Sequence, residues 1–525
     1  MLLPNYPSLP TDFDRHVFDT VVPPEHYLRQ VAAVIDFERF RPRLSEAYSS
    51  GMGRPAIDPV RMLKILFLRF HYKLSDRQVA ERSKTDMAFR WFLDLPLADS
   101  VPNHTDGTYF RKRIGVERFT QVFQDLLSQA REAGLVKDRL RLKDATHLFA
   151  DAAEVQPLQL AAQVRERLLQ AAKPFWPDWV NDQRAQIDTL RQTTAEFADD
   201  ERLAARVAHL RDMAAQLHER SAALPTAVAT DRAQQRLQRA LQLIDKLLAD
   251  HDNPKAKDRL ASAVDPEARV GKHGGFFMGY LLDLAMDADS ELITSVNVLP
   301  ANGAEAADAI TLLEQEEAAQ GNDVAGLSMD GTGYNGAVLR ELTDPHGLAV
   351  DVTVPPPSLT PRTNFGPERF SLKVIDPQHQ ELTCPNGQTT QQRKRNRHDT
   401  GYRFQFKKRQ CAACPLRAQC LPNPDSKRGR IVGKNDYEAE YARVEAKAQT
   451  AEYHQTRRTH PKIERKLGEV ARHHDARQAR FRGRLKVLVQ SVLTALVVNV
   501  KRMVKLLGPL VAPAGQTVRA ALAPT

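Results

Sequence analysis

Apolar residues follow helical spacing over the first 135 or so positions of the chain. Asp58 and Pro59 are residues that commonly begin a helix, and Met62, Leu63 and Leu66 follow at helical intervals. The pattern predicts a compact helical region at the N-terminus.

The segment from Leu74 to Leu93 predicts two short helices in succession. Ser75 can cap the first helix, and Thr85 or Asp86 can cap the second. Such a pair suits a helix-turn-helix DNA reader, although a plain helical bundle with solvated charges has the same pattern. The basic residues expected to contact DNA are Arg77, Arg82, Lys84 and Arg90.

A strand-like pattern begins at residue 137 and places Asp144 near its middle. Helical spacing returns from about 158 to 250, where two apolar runs with 4-3-4-3 spacing are separated by SAALPTAVAT. This predicts an antiparallel helical hairpin inserted into a larger domain. A scaffold or a dimer contact is the role expected of such a hairpin.

Strands dominate the pattern again from residue 265. Two apolar runs, Phe276–Met286 and Leu292–Leu299, flank a polar turn and predict a β-hairpin. A helix is expected near Ala304 to Gln320, followed by a buried strand that ends at Asp330 and turns through glycines. Strand, helical insertion, hairpin, helix and strand, in this order, predict a mixed α/β domain.

Composition adds a preference for polyanionic partners. The chain has 525 residues, and its 75 Lys and Arg exceed its 65 Asp and Glu by ten. A net positive charge favours DNA, RNA or an anionic membrane surface. The apolar stretch Val487–Val500 contains polar residues and is too short to span a bilayer, so a buried core helix is expected there. No signal peptide is apparent, which predicts a cytoplasmic protein with reduced cysteines.

All four cysteines, Cys384, Cys411, Cys414 and Cys420, lie in one short window. Cys411 and Cys414 form a C-x2-C knuckle, and Cys384 opens the turn sequence CPNG. Four thiolates suit a tetrahedral structural zinc site, which could stabilise a segment that has little core of its own. Four ordinary reduced thiols are the alternative, and no thioredoxin-like context favours a redox pair.

Basic stretches surround the cysteines: QQRKRNRH, YRFQFKKRQ and DSKRGRI. Their cations suit phosphate contacts, and the interleaved Tyr402, Phe404 and Phe406 suit stacking on bases. A solvated loop would have the same composition. The residues expected to contact DNA here are Arg393, Lys394, Arg395, Lys407 and Lys408.

Three acidic residues stand out by their positions. Asp144 lies inside a strand and Asp330 ends another, and carboxylates at strand ends of an α/β sheet face the crevice where ligands bind. Glu464 lies beside an apolar helix face. Two divalent ions about 4 Å apart can stabilise the charge that phosphodiester cleavage develops on two oxygens. The sequence alone does not select three such acids from the 65 present.

Several segments resemble bacterial insertion-sequence transposases of the DDE class, in the branch with an InsH-like N-terminal domain. GRPAIDPVRMLKILFLRFHYKLSDRQVAERSKTDMAFRWFL resembles the N-terminal helical domain, KDATHLFADAA the first-Asp strand, and SMDGTGYNG the second-Asp strand. DPEARVGKHGGFFMGYLLDLAMDADSELITSVNVLPAN resembles the Asp-Pro-x-Ala-Arg segment and Gly-Tyr hairpin. RRTHPKIERKLGEVARHHDARQARFRGRLKVLVQSVLTALVVNVKRM resembles the third-acid helix and the C-terminal helices.

The resemblance implies a ribonuclease H-like fold on which Asp144, Asp330 and Glu464 hold two Mg²⁺ or Mn²⁺ ions, with Asp144 bridging both. It also supports a structural Zn²⁺ on the four cysteines. Asp151 and Glu469 are the nearest competitors of Asp144 and Glu464.

The third-acid helix departs from the pattern of related groups at two positions. Those groups often carry an arginine four residues before the glutamate and a lysine seven residues after it, where this chain has His460 and Ala471. The residues that could replace these phosphate contacts are Arg457, Arg458, Arg465 and Arg472.

The resemblance also implies a function. A transposase would cleave DNA at the transposon ends and join the freed 3′-hydroxyl to target DNA, as a homodimer or larger synaptic complex associated with the bacterial nucleoid and not with a membrane. A catalytically inactive, transposase-derived DNA-binding protein or repressor is the alternative, and a nuclease without strand transfer is a third.

The predicted fold class is α/β, with a ribonuclease H-like mixed-sheet core split by insertions. The predicted domains are a helical DNA-binding domain (1–135), the first part of the core (136–157), a helical hairpin insertion (158–262), the second part of the core (263–345), a basic four-cysteine zinc-ribbon-like insertion (346–435), the C-terminal helices of the core (436–507) and a loose tail (508–525).

Overall fold

The computed structural model describes residues 9–49, 55–224, 232–357, 364–376, 379–398, 400–421, 423, 426 and 428–511. Most of the predicted tail at 508–525 therefore lies outside the described residues. The chain forms two units: unit 1 is Met1–Lys137, Lys143–Asn322 and Lys462–Thr525, and unit 2 is Asp138–Leu142 and Asp323–Pro461.

The elements up to residue 322 are α1 (Asp12–Val21), α2 (Tyr27–Val34), α3 (Arg41–Ser45), α4 (Pro59–His71), α5 (Asp76–Thr85), α6 (Met87–Phe92), α7 (His104–Glu132), β1 (Arg141–Phe149), α8 (Pro157–Ala172), α9 (Pro177–Thr193), α10 (Asp199–Ala222), α11 (Arg232–Asp252), β2 (Arg269–His273), β3 (Gly275–Asp287), β4 (Ile293–Pro300) and α12 (Glu305–Gln320).

The later elements are β5 (Gly326–Ser328), α13 (Gly336–Leu342), β6 (Asp351–Thr353), β7 (Ser371–Val374), β8 (Gln380–Thr383), β9 (Thr389–Thr390), β10 (Arg393–Arg395), β11 (Gly401–Gln405), α14 (Lys408–Ala412), α15 (Arg417–Cys420), β12 (Ile431–Asn435), α16 (Glu438–Lys447), α17 (Ala451–Thr459), α18 (Pro461–His473) and α19 (Arg484–Val511).

The helices near the N-terminus begin where their capping residues predict. Asp58 and Ser75 each accept a hydrogen bond from a backbone N–H in the first turn of α4 and α5. Asp86, and not Thr85, caps α6 by accepting from the backbone N–H of Phe89 at 3.0 Å. The predicted pair of short helices, α5 and α6, is confirmed.

Strands β3 and β4 form the predicted hairpin, antiparallel from the pair Tyr280 and Pro300 onward. A Cβ atom at Gly279 in β3 would lie 2.0 Å from the carbonyl oxygen of Leu148 in β1. Only glycine therefore allows β3 to approach β1 this closely, which accounts for the glycine of the Gly-Tyr hairpin.

The strand order is β2-β3-β1-β5-β6, with β4 also pairing with β3. Strand β2 pairs antiparallel with the first part of β3. The first residues of β1 pair in parallel with β5, with Leu142 opposite Ser328, and β5 pairs in parallel with β6. The predicted mixed sheet and the mixed α/β class are confirmed.

The insertion after β1 has four helices, α8 to α11: the two predicted apolar runs form α10 and α11, and α8 and α9 were not predicted. They share one core that includes Leu168, Trp179, Leu210 and Ile244. Prolines at the first positions of α8 and α9 divide the sequence pattern into short runs, and this concealed two of the helices.

Helix α19 contains the apolar stretch predicted to be a core helix. Arg484–Gly508 is the one helix in the described ranges that is long and apolar enough to cross a membrane, but 83% of its most apolar window is buried within the protein. Asn499 on this helix is fully buried and makes two hydrogen bonds with the backbone of Ile293 in β4, at 2.8 and 2.7 Å. The helix is long enough to span a bilayer, contrary to the expectation from Val487–Val500, but it is buried as a core helix would be.

Unit 2 contains two small antiparallel sheets, β7-β8-β9 and β10-β11-β12. They enclose a small core of Phe370, Leu382, Phe404, Phe406 and Val432. Cys384, Cys411 and Cys420 pack against this core. The cysteine segment therefore has strands and a modest core, where the sequence suggested little core.

Candidate functional site

Two carboxylates come together in unit 1: those of Asp144 and Glu305, which offer oxygen atoms within 4.8 Å of each other. Asp144 lies in β1, and Glu305 is the first residue of α12. Both residues are half-buried. Two carboxylates at this separation repel each other, and a divalent cation with a preference for hard oxygen ligands would relieve that repulsion.

Lys143 anchors Glu305 from within the protein. Its Nζ donates to the Glu305 carbonyl oxygen at 2.8 Å and lies 3.0 Å from Oδ2 of Asp283. Burial acts to lower the pKa of Lys143, but the charges of Asp283 and Glu305 outweigh it, so the net shift is upward and the ammonium is charged. Because Lys143 precedes Asp144 in β1, this contact fixes the start of α12 against the strand that carries Asp144.

Asp330 belongs to unit 2 and follows the end of β5 by two residues. Its Oδ1 accepts hydrogen bonds from the backbone N–H of Thr332 at 3.0 Å and from the Thr332 hydroxyl at 2.5 Å. The predicted turn after this strand is therefore confirmed. Hydrogen bonds within the described residues use Oδ1 of Asp330 alone, which leaves Oδ2 for a cation.

Arg457 and His460 lie close to the chain around Asp330, within the same unit. Arg457 donates to the carbonyl oxygen of Met329 at 2.7 Å. His460 is buried, with Nδ1 3.1 Å from the Ser328 hydroxyl and Nε2 without a hydrogen-bond partner. Burial, and secondarily the charge of Arg457, lowers the pKa of His460 to about 4, so the ring is neutral at pH 7. The cation that contacts the backbone next to Asp330 is therefore Arg457.

The predicted third acid, Glu464, lies exposed on the first turn of α18. Within the described part of the chain it makes no hydrogen bond or ion pair, and it is not in the acidic group of Asp144 and Glu305. Its competitor Glu469 pairs with two lysines, and Asp151 pairs with Arg482 at 3.2 Å.

Glu305 was not among the sequence candidates. An acidic residue in the first turn of a helix is ordinarily explained by its attraction to the helix dipole. The neighbouring motif, the turn PANG after β4, gave no indication that this turn returns the chain to Asp144. A contact between residues so far apart in sequence depends on the packing of α12 against the sheet.

The four cysteines line one small cavity in unit 2, next to Phe370 and Phe406. Cys384 opens the turn between β8 and β9, Cys411 lies in α14, and Cys420 ends α15. Burial raises the pKa of the Cys420 thiol, and the other three thiols raise it further, although Arg430 opposes them. A cation among the four sulfurs would reverse this effect, because thiolates are stabilised by metal coordination.

One backbone group already points at a sulfur atom: the N–H of Arg430 donates to Sγ of Cys411 at 3.4 Å. Such N–H···S contacts are usual around metal thiolates. No three of the four sulfur atoms all lie within 4.8 Å of one another in the described structure, so zinc binding would have to draw the thiols together.

The predicted DNA contacts of α5 and α6 divide into two groups. Arg77, Arg82 and Lys84 are exposed. Arg90 is buried and donates to the carbonyl oxygens of Pro96, Leu97 and Asp99, so its selection as a DNA contact was wrong. Its charge satisfies the backbone of the loop after α6, because buried carbonyl oxygens need donors.

The basic residues near the cysteines are mostly exposed, but the aromatic residues between them are not. Phe404 and Phe406 are core residues of the small sheets, so base stacking by these two was a wrong expectation. The Tyr402 ring is flanked by the guanidinium groups of Arg393 and Arg395, 3.9 and 4.7 Å from its centroid. Lys394, Lys407 and Lys408 are exposed.

The Asp-Pro-x-Ala-Arg segment has a structural explanation. Asp265 is buried, and its Oδ1 accepts from the Tyr280 hydroxyl at 2.8 Å and from the backbone N–H of Gly483 at 3.0 Å. This carboxylate connects the hairpin strand β3 to the loop that precedes α19. It thereby links two segments that stand more than two hundred residues apart in the chain.

Two family models match the chain. A model described as "Transposase domain (DUF772)" matches residues 16–113, and one described as "Transposase DDE domain" matches residues 383–504. These two matches support an insertion-sequence transposase of the DDE class. The resemblance drawn from the sequence is thus confirmed, and DNA is the substrate class that these matches imply. No curated protein and no solved structure matches.

The matched ranges bear unequally on the candidate residues of this chain. Glu464 and the four cysteines lie within the range of the DDE model. Asp144 and Asp330 lie between the two matched ranges. The match to the DDE model implies dependence on divalent metal ions, and the acidic pair of Asp144 and Glu305 has the donor chemistry for them.

Proposed function

We propose that this chain cleaves DNA at the transposon ends and transfers the freed 3′-hydroxyl to target DNA, on a ribonuclease H-like core. The observation that carries the proposal is the pairing of Asp144 and Glu305 on the mixed sheet of a chain that two transposase models match. A hard-oxygen site on such a sheet suits phosphoryl transfer.

The resemblance to the DDE class supports Asp330 as a partner of Asp144. Asp144 lies in β1, and Asp330 follows the end of β5 by two residues. Each carboxylate offers the hard oxygen ligands that divalent ions prefer. We therefore propose Asp144, Asp330 and Glu464 as metal ligands, with Asp144 shared, and add Glu305 as a further ligand beside Asp144.

Each side chain has a distinct part in this proposal. Two Mg²⁺ or Mn²⁺ ions, when bound, would stabilise the charge on the attacking and leaving oxygens of the phosphodiester. Asp144 and Glu305 hold the position at β1, and Lys143 orients Glu305. Arg457 supplies a cation next to Asp330 that can attract a DNA phosphate.

We also propose that Cys384, Cys411, Cys414 and Cys420 bind one structural Zn²⁺. Their shared cavity, the raised pKa of the Cys420 thiol and the N–H···S contact to Cys411 support this. The exposed cations Lys394, Lys407 and Lys408 on the same module would then contact DNA phosphates, together with Arg77, Arg82 and Lys84 on α5. Joining two transposon ends requires at least two active sites, so a dimer or larger complex is expected.

A strand-transfer assay with labelled transposon ends, target DNA and Mg²⁺ tests the catalytic proposal. Asp144→Asn, Asp330→Asn and Glu464→Gln should each abolish joined product, and Glu305→Gln should reduce it at least tenfold. Glu314→Gln is the matched control, because Glu314 is an exposed acid on the same helix α12. Full joining by the first three variants would overturn the triad.

The assay also separates the alternatives. An inactive DNA-binding protein or repressor would retard the transposon-end DNA without cleaving it, and a simple nuclease would cleave without joining. The exposed position of Glu464, outside the group of Asp144 and Glu305, is the observation that favours the inactive form.

A further inference from the structure

The hairpin of β2 and β3 carries an exposed phenylalanine next to its turn. Phe276, the second residue of β3, is 80% exposed, more than any other large hydrophobic residue in the described part of the chain. Water around an aromatic ring is unfavourable, because apolar surface stays hydrated that burial would remove. Single exposed hydrophobic residues are nevertheless common, so the surroundings of Phe276 decide whether it marks a binding surface.

The packing of the next residue holds the Phe276 ring in this exposed position. Phe277 is 7% exposed and packs against Leu281 and Ala301. Its ring lies 6.0 Å from that of Phe149 at the end of β1. Successive residues of a strand face opposite sides of the sheet, so the burial of Phe277 directs Phe276 outwards.

The tip of the hairpin extends past the end of β1. The backbone N–H of Ala150, just after β1, donates to the carbonyl oxygen of Met278 at 3.0 Å, and Phe276 lies two residues closer to the tip. Gly274 in the turn has a φ of +72°, a conformation that favours glycine, and a Cβ atom at Gly275 would meet nothing within 4 Å. The two glycines therefore leave open space at the tip, next to the Phe276 ring.

The hairpin tip also has positive charge and no acid. Lys272 is exposed and lies opposite Phe276 in the ladder of β2 and β3, with its Nζ 5.8 Å from the centre of the Phe276 ring. Residues 268–282, which include all of β2 and the greater part of β3, contain no Asp or Glu. An exposed aromatic ring beside an unopposed cation suits a partner with flat rings and negative charge, which describes DNA.

The tip is close enough to the acidic pair to contact the same DNA molecule. Phe149, whose ring lies beside that of Phe277, follows Asp144 by five residues in β1, which is about 17 Å along a strand or about five base pairs of duplex. Arg477 is exposed at the end of β1, where its carbonyl oxygen accepts from the N–H of Phe149 at 2.8 Å. DNA that reaches Asp144 can therefore also reach the hairpin tip.

We propose that Phe276 stacks on a base of the transposon-end DNA, within about one helical turn of the phosphate at Asp144, and that Lys272 contacts the phosphate beside that base. Aromatic side chains stack on bases of any sequence, and phenylalanine can wedge between neighbouring base pairs. The inference rests on the proposed function, because it takes transposon-end DNA as the ligand. Phe276 then fixes the position of the DNA along the site, and the acids carry the chemistry.

Binding of duplex transposon-end DNA, measured by fluorescence anisotropy without divalent ions, tests this contact. Phe276→Ala should weaken binding about tenfold, and Phe276→Trp, which keeps a ring that can stack, should bind at least as tightly as the wild type. Because stacking releases no counterions, Phe276→Ala should leave the slope of log affinity against log salt unchanged. Lys272→Ala should reduce that slope by about 0.9, the value for one phosphate contact.

Phe13→Ala is the matched control, because Phe13 is 71% exposed on α1 and its loss should leave DNA affinity unchanged. Equal affinity of Phe276→Ala and the wild type would overturn the inference. If that variant also had a lower mass by light scattering, a second copy of the chain would be what covers the ring. A loss of affinity that Phe276→Trp shares would overturn the inference too, because a ring able to stack would then make no difference.

The binding assay separates this contact from the proposed catalytic function. A wild type that does not bind transposon-end DNA would overturn both. A wild type that binds and joins DNA, with Phe276→Ala equal to it in affinity, would overturn the contact and leave the proposed function standing. Weaker binding by Phe276→Ala, with no joined product from the wild type, would support the contact and count against the catalytic proposal.

Discussion

Removing the hydroxyl group of Tyr280 should destabilise unit 1 without disturbing its packing. Tyr280 and Asp265 are both fully buried, and the phenol donates to Oδ1 of Asp265 at 2.8 Å. The other oxygen of this carboxylate, Oδ2, is buried without a partner, so Tyr280 and the N–H of Gly483 are the donors that it has among the described residues. Tyr280→Phe leaves the ring in place and removes one of these two donors.

The magnitude follows from the charge of the acceptor. A hydrogen bond to a charged group contributes about 1.5–3 kcal/mol, and a buried acceptor left without its donor loses that amount. Burial already raises the pKa of Asp265, and loss of the phenol donor raises it further. Because the folded variant then binds a proton more readily than the unfolded chain, its deficit in stability should shrink as the pH falls from 8 towards 5.

Urea unfolding followed by tryptophan fluorescence measures this effect in unit 1 alone, because all three tryptophans lie within that unit. Tyr109→Phe is the matched control: Tyr109 is 68% exposed and should change stability by less than about 0.5 kcal/mol. Equal stability of Tyr280→Phe and the wild type at pH 8 would refute the reasoning, as would a deficit that grows at low pH.

Three further predictions concern other parts of the molecule. Burial lowers the pKa of His71 and of His474 to about 4, so the unfolded chain takes up protons before the folded protein does. As the pH falls from 6.5 to 4, each residue should therefore lower the free energy of unfolding by up to about 1.4 kcal/mol per pH unit. Unfolding curves that coincide at pH 7 and pH 5 would contradict this. Cys414→Ser should lower the zinc content from one ion per chain towards none, and should lower the Tm as well. Metal analysis of the purified proteins measures this, and a wild type that lacks zinc would contradict the prediction. Lys143→Met should weaken Mn²⁺ binding about fivefold, which corresponds to the loss of one hydrogen bond of about 1 kcal/mol to Glu305. Electron paramagnetic resonance measures this affinity. An unchanged affinity would show that Lys143 does not orient Glu305.

Local signals predicted the elements that depend on local physics. Helix starts at Asp58, Ser75 and Asp86 followed from capping, because the side chain of each satisfies an N–H within its own first turn. The hairpin of β3 and β4 followed from two apolar runs and a polar turn. In each case the residues that determine the structure are neighbours in the chain.

The misassigned residues are those whose role depends on distant partners. Arg90 has the composition of a DNA contact but is enclosed by the loop after α6. Phe404 and Phe406 alternate with cations in the sequence, yet alternate positions of a strand face opposite sides, and theirs is the core. Charge and aromatic content do not indicate which side of an element faces solvent.

The two glutamates proposed for the metal site, Glu305 and Glu464, differ in whether a neighbouring residue holds them in place. Glu305 is anchored by Lys143 and lies beside Asp144. Glu464 is exposed and has no hydrogen bond within the described residues, so nothing there orients it towards a metal ion. If both are ligands, the first belongs to the site in the free protein and the second joins it when substrate is bound.

The two roles predict opposite results in two measurements. Glu305→Gln should weaken Mn²⁺ binding to the DNA-free protein, and Glu464→Gln should leave that binding unchanged. In the joining assay Glu464→Gln should be the more damaging variant, because its side chain would complete the site only with DNA in place. Equal losses of Mn²⁺ affinity in the two variants would show that Glu464 already binds metal in the free protein. If neither variant lost joining activity, neither glutamate would be a ligand of the catalytic metal ions.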